Sequence, residues 1–230
     1  MTTAISNPVE LVPADVYRPQ EDSQLLVDVM ERHAPPAGLR VADLCTGSGF
    51  VAISAALRGA ASVTAFDLSH QAVRTARANA VAADVEVDVH LGHWARAAEF
   101  TPFDLVLSNP PYVPVDDEEA ASEHLPESAG PSLAFDAGPD GRLVLDPLCE
   151  HAPKLLAPGG TLLVVHSEFA DIDRTVECLR AAGLRSEVVT GQRIPFGPVM
   201  TARAEWLERT GRLERGRRIE RIAVVAAVKP

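Results

Sequence analysis

Apolar and polar residues along this chain follow two periods, and the switching between them marks out repeated units. Near-continuous apolar runs of strand length predict buried strands at LRVADLC (39–45), SVTAFDL (62–68), FDLVL (103–107), GTLLVVHS (160–167) and IAVVAAV (222–228). VEVDVH (85–90) alternates and predicts a strand with one exposed side; LRSEVVT (184–190) predicts another. Amphipathic stretches lie between them. GFVAISAALRG (49–59) reads as a helix closed by Gly59. Ser69 is placed to N-cap HQAVRTARANAVAA, whose Ala72, Val73, Ala76 and Ala80 share one face. Further helices are expected at about 141–157 and from Asp171 to Ala182. Repeated βα units around apolar strands imply an α/β, Rossmann-like fold: a seven-stranded, mostly parallel sheet with helices on both faces.

Two regions stand outside this alternation. The N-terminal piece ends in YRPQEDSQLLVDVMERH, an amphipathic helix entered through Pro19. Between the last two strands lies GQRIPFGPVMTARAEWLERTGRLERGRR, too long for an ordinary connection. The chain therefore divides into an N-terminal segment and helix, 1–38, that covers a ligand site, and a main domain, 39–230, with an insertion at about 191–220. Within the insertion, Arg203 to Arg221 is locally basic but interleaved with Glu205, Glu208, Glu214 and Glu220, which predicts a solvated, self-paired face.

Composition narrows the function more than the fold. A formal charge of −11 counts against a broad nucleic-acid surface, which needs clustered Lys and Arg. No apolar run approaches membrane-span length, and MTTAISNPVELVPADVY lacks the basic and apolar regions of a signal peptide. The three cysteines, Cys45, Cys149 and Cys178, are widely spaced, which fits a reducing cytoplasm and neither a metal site nor a disulfide framework. His124, His151 and His166 have no mutual spacing that points to a metal.

The first chemical signal is DLCTGSGFVA (43–52), a G-x-G-x-x-A turn between a strand and a helix. Its glycines, Gly47 and Gly49, allow a tight turn and close backbone approach, and the helix start offers free N–H groups to a ligand. Asp67 closes the next strand, where a carboxylate can accept both hydroxyls of an adenosine ribose. NAD and S-adenosylmethionine (SAM) both suit this arrangement. Asp43 favours SAM, because a carboxylate there meets a cationic amino group and repels a pyrophosphate.

The second signal is SNPPYVP (108–114), directly after the fourth apolar run. Ligands of open α/β sheets bind at the carboxyl ends of strands. Asn109 precedes a proline and is biased to extended backbone, and Pro110 has a carbonyl but no N–H. The Asn109 side-chain oxygen and the Pro110 carbonyl together form two acceptors for the two hydrogens of a planar –NH2 group. Pro111 stiffens the exit, and Tyr112 is placed to stack on a flat substrate. Fixing both hydrogens orients an otherwise poor nitrogen nucleophile toward a sulfonium methyl.

DLCTGSG, AFDLS and SNPPYVP together resemble a class I SAM-dependent methyltransferase. The order VYRPQEDSQLL, DLCTGSG, NPPY, AFDAGPDGR resembles the HemK family, specifically its short archaeal and eukaryotic-type branch, from about Val16 to Glu168. That resemblance implies methylation of the glutamine amide in the GGQ tripeptide of peptide-chain release factors. It implies that Glu21, Asp22 and Ser23 close over SAM, that Asp43, Thr46, Gly47 and Gly49 hold its methionine end, and that Asp67 with Leu68 meets its ribose. Asn109, Pro110, Pro111 and Tyr112 would hold the target amide. The family carries an acid after the third strand where this chain has LGHW; His93 and Trp94 either pack on the adenine ring or fill surface and core. Branch relatives work with a small zinc-binding activator subunit that pairs along an edge strand, for which VEVDVH is the candidate here.

Other readings stay open on the residues alone. NPPY also serves methylation of exocyclic amines in RNA or DNA, or of a small molecule, and the chain could be a SAM-binding scaffold dormant without an activator. The acidic loop DDEEAASEHLPE (116–127) reads as solvated, and at a substrate mouth it would repel nucleic acid and tolerate a basic protein partner.

Overall fold

A computed structural model describes residues 12–115, 125 and 130–230. The acidic loop 116–127, apart from Leu125, and His124 lie outside the described residues. Seven strands form one sheet in the order β3-β2-β1-β4-β5-β7-β6. They are β1 (Arg40–Leu44), β2 (Ser62–Asp67), β3 (Asp88–Leu91), β4 (Phe103–Ser108), β5 (Leu156–Ser167), β6 (Arg185–Pro195) and β7 (Ile219–Val228). Pairings through β5 are parallel, and β7 runs antiparallel to both β5 and β6. The chain order reverses on either side of β1 and β4, which opens a crevice at their carboxyl ends.

Helices α1 (Glu21–His33), α2 (Phe50–Leu57) and α3 (His70–Ala82) cover one face. There Leu26, Val29 and Met30 of α1 share a core with Leu163, Val165, Ile222 and Val224 of the sheet. Helices α4 (Leu145–Leu155) and α5 (Ile172–Ala181) cover the other, around Leu44, Val106, Leu162 and Val225. Ser69 caps α3, accepting from the Ala72 N–H at 3.2 Å, as its place in the sequence requires. No helix among the described residues is long and apolar enough to cross a membrane.

Several expected boundaries move. The expected helix at 141–157 is α4, 145–155, because Gly141 takes a φ of +73° and turns the chain before the helix starts. β5 begins at Leu156, so it is longer than its apolar run. β3 takes in only 88–90 of the alternating stretch and ends at Leu91. β6 continues to Pro195, because its outer half pairs residue by residue with the start of β7, up to Pro195 opposite Ile219. Residues 198–209 then form helix α6, whose Val199, Met200, Ala204, Trp206 and Leu207 pack on Val113 and Phe135.

The solvated reading of the Arg203–Arg221 stretch needs correction. Arg218 and Glu208 do pair on the surface, at 2.7 Å. Arg203, however, is 0 % exposed and Glu220 only 5 %. The Arg203 guanidinium donates to the Pro114 carbonyl (3.2 Å) and to Asp136 (2.6 Å), and lies over the Phe135 ring. One face of α6 is thus an apolar and ionic brace on the chain that follows SNPPYVP.

Candidate active site

One cavity of about 610 Å³ runs along the carboxyl ends of the strands. Each candidate residue from the sequence lines it: Glu21 to Ser23, Asp43, Thr46, Gly47, Asp67, Leu68, His93, Trp94 and Asn109 to Tyr112. Gly49 is the exception, sitting beneath the loop as the N-cap of α2.

The glycine turn leaves β1 through Cys45, Thr46 and Gly47. Gly47 (φ +55°) has open space where a side chain would begin, so its backbone faces the cavity bare. Gly49 (φ +86°) would place a Cβ 3.1 Å from Ala76, so its lack of a side chain lets α3 approach. Asp67 holds the turn from the next strand, accepting from Gly47 N and Ser69 N at 2.9 Å each. Asp43 lies behind it, 1 % exposed. Its Oδ2 accepts from the Thr46 hydroxyl (2.6 Å) and the Ala52 N–H (3.1 Å), while no described residue donates to Oδ1. Burial pushes the Asp43 carboxyl up to about 7, against the lowering effect of those two bonds. A buried carboxyl with one oxygen left for a cation fits the amino group of a SAM methionine moiety.

On the adenine side, His93 uses Nδ1 to accept from Ala95 N and cap the short 3-10 turn 94–99. Trp94 is buried, edge-on to His151. Leu68 is 51 % exposed at the cavity wall, an apolar surface without protein cover.

At the other end, Asn109 follows β4 directly. Its Nδ2 donates to Ser23 Oγ at 3.1 Å. The hydroxyl hydrogen of Ser23 points to Asp22 Oδ1 at 3.2 Å, so Oγ has only lone pairs to offer Asn109. That fixes the orientation of the Asn109 amide: nitrogen toward Ser23, oxygen free. No described residue donates to Asn109 Oδ1 or to the Pro110 carbonyl.

Asp22 is the hub of this arrangement. Besides the Ser23 hydroxyl it accepts from Ser23 N (2.6 Å), Tyr17 OH (2.9 Å) and Tyr112 OH (3.0 Å). Burial, together with Asp22, raises both phenols well above their ordinary range, which keeps them protonated donors. Tyr112 is therefore anchored through its hydroxyl, a constraint that its place in the motif does not announce. Behind it, a Cβ on Gly141 would lie 2.5 Å from the Tyr112 carbonyl, so only glycine fits. The AFDAGPDGR segment runs alongside, with Val113 N donating to Phe135 O at 2.8 Å and Ala137 N to Val113 O at 3.1 Å. Sequence reasoning missed Tyr17 and Gly141 as parts of the site; their only signals were their places in VYRPQEDSQLL and AFDAGPDGR.

This geometry can be set beside known proteins. The family described as methyltransferase small domain matches residues 18–145. The chain belongs to that family. Among its relatives, a release factor glutamine methyltransferase of Rhodospirillum rubrum is 41% identical over 66% of this chain and 47% of its own length. One of Bordetella pertussis is 37% identical over 74% and 63%. A Methanocaldococcus jannaschii protein provisionally named protein N5-glutamine methyltransferase is 29% identical over 83% of this chain and 91% of its own. The chain thus spans nearly all of the archaeal relative but about half to two thirds of the bacterial ones. Among solved structures, the Encephalitozoon cuniculi Mtq2-Trm112 complex, described as responsible for methylation of the termination factor eRF1, superposes with TM-score 0.61 at 20% identity, covering 94% of this chain and 99% of that one. The methyltransferase fold expected from the sequence is the fold found, and the chain is a methyltransferase.

Proposed function

We propose that this methyltransferase transfers a methyl group from SAM to the side-chain amide of a glutamine in a peptide-chain release factor. The observation that carries this reading is the fixed Asn109 amide. With Nδ2 tied to Ser23, Asn109 Oδ1 and the Pro110 carbonyl are two unengaged acceptors at the cavity wall. Two acceptors and no donor match a primary amide –NH2, whose lone pair must be turned toward the methyl. SAM, when bound, supplies an electrophilic sulfonium methyl; Asp43 would meet its ammonium, Gly47 its backbone, Asp67 its ribose hydroxyls, and Leu68 with His93 the adenine edge. As the N–CH3 bond forms and the sulfonium S–CH3 bond breaks, leaving S-adenosylhomocysteine as a neutral thioether, positive charge develops on the amide nitrogen. The two oxygens facing its hydrogens stabilise that charge, and one of those protons leaves after the methyl has transferred. Relatives named for glutamine methylation support the acceptor, and the net charge of −11 opposes a nucleic acid in its place. A release-factor substrate places the reaction in the cytoplasm.

A strand-adding activator would pair along β3. Gly92 N donates inward to Asp67 O, so the carbonyls of Val89 and Leu91 point to the free edge. Both already accept from guanidiniums, Val89 O from Arg77 (2.6 Å) and Leu91 O from Arg96 (2.8 Å). An added strand would displace both, at a cost of about 1 kcal/mol, and the likeness to the Mtq2-Trm112 complex supports such a partner.

The test is methyl transfer from labelled SAM into cell extract, followed by mass spectrometry of the labelled species. Label on a glutamine side chain is expected; label in RNA or on a small molecule, or none at all, overturns the reading.

A further inference from the structure

The cavity contains a second half-satisfied carboxyl, at the end away from the glycine turn. Glu220 stands near the start of β7, opposite Ile194 of β6, and is 5 % exposed. Its Oε2 accepts from the Ser167 hydroxyl. Ser167 in turn accepts from Phe169 N at 3.4 Å, so the carboxyl is held in one orientation. No described residue donates to Oε1, and Glu220 lines the same cavity as Asn109 and Tyr112.

Among the described residues, no cation pairs directly with Glu220. Asp22 of α1 and the Tyr17 and Tyr112 phenols lie on one side, and Glu168, after β5, on another. Arg217 is the nearby positive charge, and it pairs with Glu168 at 3.1 Å while lying over the Phe169 ring. Burial, helped by Asp22 and Glu168, raises the Glu220 carboxyl to about 7 against the lowering effect of Ser167 and Arg217. Ile194, Phe196, Val199 and Met200 line the same cavity. Asp22, the other carboxyl nearby, already accepts four hydrogen bonds on its two oxygens, and Asp136 is bound by Arg203. An acceptor that no described residue engages, at a cavity wall, is open to a ligand donor.

We propose that Glu220 is a specificity-determining residue: its free Oε1 accepts an N–H of the acceptor polypeptide next to the methylated glutamine. The ligand chemistry is an N–H donor, from either the main chain or a basic side chain beside the target. This rests on the amide reading above. It adds a fixed point outside the target amide to those supplied by Asn109 and Pro110.

The test uses the full-length chain, SAM, and synthetic GGQ peptides with neutral or basic flanks. Glu220→Gln keeps the shape and an oxygen for Ser167 but puts an NH2 donor where the free acceptor stood. The expected result is a KM for peptide raised at least about tenfold, with kcat within about threefold and S-adenosylhomocysteine binding unchanged. Wild-type KM should also rise as pH falls below about 7, and the variant should lose that dependence. Equal losses on both peptides point to a main-chain N–H, and a larger loss on basic flanks to a side chain. Glu220→Asp, which keeps the charge, should fall between the two and guards against misfolding of the first variant. An unchanged KM in folded Glu220→Gln overturns the role of Glu220 alone. A wild-type chain that methylates no glutamine peptide overturns the amide reading, and this proposal with it.

Discussion

At the β1 end of the cavity, Asp43 is buried with one oxygen held by a threonine hydroxyl and the other open. At the β7 end, Glu220 is buried with one oxygen held by a serine hydroxyl and the other open. Burial raises both carboxyls to about 7. The chemistry is the same, but the wiring differs. Asp43 is fixed by Thr46 and Ala52, inside one strand–turn–helix unit, whereas Ser167 reaches Glu220 across 53 residues of sequence. A ligand end built from one contiguous turn can be carried whole from protein to protein. On the proposed reading, acceptor choice belongs to the end assembled from separate segments, which can be retuned one segment at a time.

The two ends meet at Asn109. Asn109→Ala removes one of the two amide acceptors, and loss of such a group costs on the order of 10²- to 10³-fold in kcat. S-adenosylhomocysteine binding, measured by calorimetry, should stay within about threefold, since Asp43, Gly47 and Asp67 are untouched. Equal loss of both would make Asn109 a structural residue and would merge the two ends into one.

Asp43 tests the cofactor end by itself. Asp43→Asn should weaken cofactor binding by about 10- to 100-fold, the range for a charge-assisted bond of about 1.5–3 kcal/mol. In the wild type, affinity should fall as pH drops below about 7, because the protonated carboxyl no longer attracts the ammonium. Stability has the opposite sign. A folded-state pKa raised above the unfolded value means that stability from Asp43 is present below about pH 4 and is lost as pH rises to about 7. Without cofactor, Asp43→Asn should therefore gain melting temperature over wild type at pH 8 and little at pH 5. A variant that binds cofactor normally at every pH would remove Asp43 from the site.

Ser23 sharpens the acceptor end. Ser23→Ala frees the Asn109 amide to turn its nitrogen toward the substrate, and kcat should fall about tenfold, near one lost hydrogen bond to a catalytic group. Ser23→Thr, which keeps the hydroxyl, should restore it. If the alanine variant instead loses cofactor affinity, Ser23 belongs to the cofactor end, as the family resemblance implies.

What could be read from the sequence follows the same division. The strands, the caps and the glycine turn were legible because each is specified within about ten residues: Ser69 caps the helix it precedes, and Gly47 and Gly49 bend the turn they occupy. The donor-poor exit at SNPPYVP was legible because proline has no N–H whatever its surroundings. The partners that give those residues their orientation were hidden. Asn109 meets Ser23 across 86 residues and Tyr112 meets Asp22 across 90, and no local pattern encodes either contact. Arg203 and Glu220 misled for a related reason. Alternating charges at helical spacing describe a solvated face, but the β6 extension and α6 fold this stretch back over the site, and burial then depends on what α6 meets.

The smallest expected effect lies at the sheet edge, where the fold meets any partner. Arg77 and Arg96 cap the outward carbonyls of β3, and removing both should cost only about 1 kcal/mol, the scale of part-exposed hydrogen bonds. The consequence should be associative, because an uncapped edge is a template for another strand. Wild-type chain should sediment as one species across concentration. The double variant Arg77→Ala/Arg96→Ala should self-associate as concentration rises, with kcat unchanged at low concentration. A wild-type chain that is inactive until a second subunit is supplied, and a double variant that binds that subunit more tightly, would turn the two arginines from a seal into a gate.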